Sequence, residues 1–140
     1  MLLLATVAGA GVVATSAFSV MPPEPLPVAA LALSVDPVDD RITLTHRGGE
    51  PLDVSDVTIR IKVDGDPLAY QPPVPFVGAP GFRGAPTGPF NLAGDQHWTV
   101  GEQASLRLAA TNDPDVAPGS TVVVSVYYNE LLFAELSETV

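Results

Sequence analysis

The chain has no cysteine. That removes disulfides and thiolate metal sites as ways of holding a fold together, so burial of apolar surface must supply the stability. Basic residues are scarce as well. Six Lys and Arg, of which Lys62 is the one lysine, stand against 16 Asp and Glu, for a formal net charge of −10. Binding phosphates requires clustered cations, and these are dispersed along the chain, so nucleic acid is not an expected partner. Self-repulsion at this charge weakens a compact state in dilute salt and is screened in concentrated salt, so the composition suits a salt-rich medium, with an ordinary acidic protein as the alternative.

Patterns that carry chemistry are missing too. With no cysteine, no G-x-S-x-G turn, and His46 and His97 in turn-like contexts, no nucleophilic triad can be assembled and no catalytic residue is expected. The aspartates at 36, 39 and 40, at 64 and 66, and at 113 and 115 match no twelve-residue calcium loop, and tight turns use the same residue types. Neither a metal nor another cofactor is expected. Gly9-Ala10-Gly11 lies inside an apolar stretch and not after a strand, against a dinucleotide site. No Asn-x-Ser/Thr occurs, which excludes N-glycosylation at that motif.

Charge is absent from Met1 to Pro23, and proline from Met1 to Val20. A helix of about 20 residues spans about 30 Å, the thickness of a bilayer's hydrocarbon core, and residues 1–21 are expected to form one. Ala5 and Gly9, Ala10 and Ala14, and Gly11 and Thr15 stand four apart, a spacing that lets helix backbones approach closely. These six residues are the candidate packing face through which copies polymerise, with the membrane as a station before assembly. A secretory signal peptide, which would begin with a basic region, and a simple membrane tether, which needs no small-residue face, are the alternatives. Pro22, Pro23, Pro25 and Pro27 then make residues 22–27 a stiff linker, because each proline fixes φ and removes an amide donor.

Beyond residue 27 the apolar period becomes two. Strands are predicted over 28–35, 41–46, 57–63, 105–109, 121–128 and 131–136, with Asn129-Glu130 as a tight hairpin turn. The expected fold is α+β: a single apolar N-terminal α-helix followed by a small antiparallel β-sandwich over 28–140. Between 71 and 102 the alternation lapses into interleaved prolines and glycines punctuated by Phe76, Phe82, Phe90 and Trp98. So many aromatics argue against a solvated linker. They mark an ordered excursion over the sandwich or a neighbouring subunit and are the candidate subunit-contact or adhesion residues.

An uncharged small-residue segment, a short linker, the stretch Thr45-His46-Arg47-Gly48-Gly49-Glu50-Pro51-Leu52 and then the strand Val57 to Val63 resemble the archaeal type IV pilins, those of extreme halophiles in particular. In that family a T-H-x-G-G-x-x-L stretch links two strands of the β domain, and His46, Gly48, Gly49 and Leu52 fall on it. The resemblance implies a pilin-like fold, export and cleavage by a prepilin peptidase, and a membrane-held pool of subunits. It also implies assembly by the pilus machinery into an extracellular helical homopolymer used in adhesion. The expected function is thus structural and not enzymatic. The competing reading is a membrane-anchored extracellular β-domain that binds a ligand through residues 71–102; a secreted enzyme of unrecognised type comes third, for want of a reacting group.

Overall fold

The computed structural model describes residues 26–140. Strands β1 (Ala29–Asp36), β2 (Arg41–Gly49) and β7 (Gln103–Arg107) form one antiparallel sheet in the order β1-β2-β7. Strands β4 (Val57–Val63), β5 (Asp66–Pro67), β8 (Thr121–Tyr128) and β9 (Leu131–Thr139) form a second in the order β5-β4-β8-β9, and β3 (Leu52–Asp53) pairs with β6 (His97–Trp98). Strict alternation decides which faces meet. In β4, Val57, Ile59, Ile61 and Val63 are buried while Thr58, Arg60 and Lys62 are exposed. His46 of β2 is buried as well, and Val122, Val124 and Val126 of β8 with Ile42 and Leu44 of β2 join the apolar face of β4 in one core cluster. Each such side chain contributes roughly 1.5–3 kcal/mol by leaving water.

The turns follow from residues that accept positive φ. Asp64-Gly65 at φ 54° and 87° and Asn129-Glu130 at φ 50° and 69° close two-residue hairpins whose twist matches that of the strands. The expected Asn129-Glu130 turn is therefore where the sequence places it, and the strand over 131–136 continues to Thr139.

Two corrections follow. Among the described residues there is no α-helix: the helical content is two 3-10 turns, Val54–Asp56 and Gly88–Phe90, and no helix is long and apolar enough to cross a membrane. Over the described residues the α+β class is replaced by an all-β architecture, because every long element from Ala29 onward is a strand paired antiparallel in a sheet. The helix expected over 1–21, its packing residues Ala5, Gly9, Ala10, Gly11, Ala14 and Thr15, and linker residues Pro22, Pro23 and Pro25 lie outside the described residues. Pro27 is half-buried just ahead of β1.

The second correction concerns the aromatics. Phe76, Phe82, Phe90 and Trp98 are between 0 and 8 % exposed and belong to the core, so they cannot form the adhesion or subunit-contact surface expected of them. The excursion over 71–102 runs along the free edge of β7, where Thr87 pairs with Ser105, Phe82 with Leu108, and the Arg83 amide donates to the Arg107 carbonyl. Proline supplies no amide donor, so Pro80, Pro86 and Pro89 keep this segment from becoming a continuous strand while its phenylalanines plug the core.

Candidate functional site at the junction end

Each sheet has an end facing the chain's entry at Leu26. There the β2–β3 turn, the Thr99–Glu102 turn and the β8–β9 hairpin converge. His46 and Glu102 exchange backbone contact through the His46 amide, which donates to the Glu102 carbonyl at 3.0 Å, and the Gly101 amide donates to the His46 carbonyl at 2.8 Å. The Asn129 amide donates to the Asp56 carbonyl at 2.9 Å, tying the hairpin to the start of β4.

The motif residues hold this end together. His46 is fully buried, and its Nε2 lies 2.7 Å from the Glu50 carbonyl. A carbonyl can only accept, so Nε2 carries the proton and Nδ1 is left as a buried acceptor with no partner among the described residues. The ring stands edge-on to Trp98 at 6.1 Å, Phe90 stands edge-on to Trp98 at 5.2 Å, and Trp98 Nε1–H donates to the Glu102 carbonyl at 2.9 Å. Leu52, fully buried, sits opposite Trp98 in the β3–β6 pair.

Gly48 is half-buried and open, with room for a side chain. Gly49 is not interchangeable with anything larger: its φ is +100°, and a Cβ there would collide with the Val28 carbonyl. That close approach lets Glu50 grip the chain's entry from both sides. Its amide donates to the Val28 carbonyl at 2.7 Å, and its Oε1 accepts from the Val28 amide at 2.8 Å. The point at which the N-terminal segment joins the domain is therefore clamped to the core through Glu50 and His46.

Carboxylates cap the remaining turns. Glu102 Oε1 accepts from the amide and hydroxyl of Thr99 at 2.8 and 3.0 Å. Asp53 caps the 3-10 turn, and the Ser55 hydroxyl followed by its amide holds the Asp53 carboxyl below its ordinary value of 3.8. The sign follows: this cap stabilises the fold above that ordinary value and is lost as pH falls through the lowered one. Asp95 is lowered likewise, by the His97 amide and then its ring. His97 itself is exposed and points to Asp95 and not to its neighbour Trp98.

Of the expected site residues, the structure thus gathers His46, Gly49, Leu52, Phe90 and Trp98 into one corner, while Phe76 and Phe82 pack together 5.6 Å apart along the excursion. Glu50 and Glu102 carry the corner's hydrogen bonds and were not singled out by sequence; Glu50 occupies a variable position of the motif, and nothing in its identity announces a backbone clamp. In this corner the hydroxyls of Thr99 and Ser55 donate to the carboxylates that cap their own turns. What it can do is mechanical: fix the direction and anchorage of the incoming chain. Comparison with protein-family models and with curated proteins finds no match to this chain.

Proposed function

We propose that this chain is the structural subunit of an extracellular filament of the archaeal type IV pilin kind, polymerising through its apolar N-terminal segment and displaying the β domain outward. The observation that supports it most is the junction. A stretch with no charge from Met1 to Pro23 enters the domain at a point gripped by Glu50 and backed by the buried His46–Trp98–Phe90 stack. A subunit drawn along a filament must pass tension from its core-forming segment to its head at one place, and paired hydrogen bonds to Val28 tied through the Glu50 carbonyl to the buried His46 suit that load. An apolar segment also has a strong reason to associate with copies of itself, since burying it removes apolar area from water. By the same reading the subunit waits in the membrane for the peptidase and assembly machinery, and the net charge of −10 suits a salt-rich exterior.

The competing reading, a tethered domain that binds a ligand through 71–102, loses its recognition residues to the core. Electron microscopy of cell-surface appendages and of the purified full chain in concentrated salt tests the proposal. Filaments that contain the chain are the expected outcome. Monomers alone, with no appendage containing the chain, would overturn it.

A further inference from the structure

Nine large apolar side chains are exposed among the described residues, and five of them, Leu26, Val28, Val100, Leu131 and Leu132, sit at the junction end. Leu131 and Leu132 open β9 directly after the hairpin turn and are 45 and 54 % exposed. Alternation would hide one of two consecutive strand residues. Here a register shift between Val126 and Tyr127, opposite this start of β9, coincides with both leucines reaching solvent. The turn itself needs only Asn129-Glu130, so nothing in the hairpin's own geometry calls for two exposed leucines.

We propose that this rim, Leu131 and Leu132 with Val28 and Val100, seats the apolar N-terminal segment of a neighbouring copy of the chain. The inference rests on the filament reading and names the surface that reading leaves open. Three features select this occupant. The segment from Met1 to Pro23 carries no charge, so it covers leucines without bringing carboxylates against Asp56 and Glu130 beside them. An anionic lipid surface would meet those carboxylates on a chain of net charge −10. The segment joins the domain within the rim, at Leu26, so every added copy carries one to the place where another copy's rim stands. The chain's own segment is a poor occupant, because Pro22, Pro23, Pro25 and Pro27 fix φ and favour extended neighbours, against the tight reversal that folding back demands.

The full-length chain carrying Leu131→Asp and Leu132→Asp tests this. Emission from Trp98, the single tryptophan and fully buried, reports whether the domain stays folded. With the fold intact, the critical concentration for assembly should rise by about tenfold or more; assembly at the unaltered concentration would overturn the proposal. Because the chain has no cysteine, a second experiment is clean. Chains with Leu132→Cys are co-assembled with chains carrying Ser16→Cys or Ser19→Cys and oxidised, and a disulfide between two different chains is expected. A bond formed only within a doubly substituted chain would give the rim to the chain's own segment and overturn the proposal. So would binding of the monomer to phosphatidylglycerol vesicles that the aspartate variant loses while it still assembles. Absence of filaments from the unsubstituted chain would overturn the filament reading with it, whereas normal filaments from the aspartate variant would overturn the rim alone.

Discussion

The two ends of the sandwich are built by different physics. At the junction end the turns are held by a buried histidine, a buried tryptophan and carboxylates that cap backbone amides. At the opposite end the turn between β1 and β2 is held by charge. Asp39 accepts from Arg41 at 3.5 Å and Arg107 at 3.3 Å, and Arg83 reaches Asp40 at 3.5 Å and the Asp39 carbonyl at 2.9 Å. These groups are 34 to 45 % exposed, where an ion pair is worth about 0–1 kcal/mol and is screened by salt. Contacts sealed from water are screened far less. At the junction end that holds for the buried His46–Trp98–Phe90 stack, whose strength should survive concentrated salt, while the Glu50 and Glu102 caps are themselves exposed.

That contrast can be broken most severely at Phe90. Truncation in Phe90→Ala empties the space beside Trp98 in a fully packed corner, and removing a buried phenylalanine costs about 3–5 kcal/mol. Urea unfolding followed by Trp98 emission should show that loss. A cost under about 1 kcal/mol, the scale of the charged end, would mean that the aromatic stack is peripheral and the distinction between the ends is wrong. Deleting residues 78–90 should abolish cooperative unfolding altogether, since it removes both Phe82 and Phe90 from the core.

Gly49→Ala comes next. The substitution forces a side chain onto a backbone at φ +100° and into the Val28 carbonyl, and strain of that kind costs about 1–3 kcal/mol. Its effect should be concentrated at the entry clamp, so amide exchange at Val28 and Glu50 should accelerate more than at Val124 in the middle of β8. Uniform acceleration would show that the clamp opens only with the whole domain.

How much of this was legible in advance depended on whether a residue's neighbours lay near it in sequence. The alternation of Val57 to Val63 and of Thr121 to Tyr128 reports its own burial, and those strands stand where they were expected. The Asn129-Glu130 turn was equally local. The role of the excursion was not, because Phe82 and Phe90 meet β7 and Trp98 through contacts that no periodicity encodes, and prolines disguise a segment that stands in for an edge strand. The motif turn is visible in the sequence, but its partner is not: Val28 lies 22 residues before Glu50, and the hydrogen bonds between them leave no trace in composition.

The smallest effect belongs to the charged end, and its dependence on salt matters more than its size. In Asp39→Ala, Arg41 and Arg107, directly opposite each other in the β2–β7 pairing, lose the carboxylate that accepts from both. Like charges so placed destabilise a sheet, by up to about 1 kcal/mol. Removing one negative charge from a chain of net charge −10 works the other way by relieving general repulsion, and it acts over longer distances. At 0.1 M salt, with a screening length of about 10 Å, the short-range loss should win and leave a net cost of about 0.5–1 kcal/mol. At 1 M salt the screening length is about 3 Å and the cost should fall toward zero, while Gly49→Ala, whose penalty is steric, should cost the same at both. Unfolding both variants at the two salt concentrations measures this. An Asp39→Ala cost undiminished at 1 M would show that Asp39 acts through its hydrogen-bond geometry, and that the two ends are held by the same kind of force.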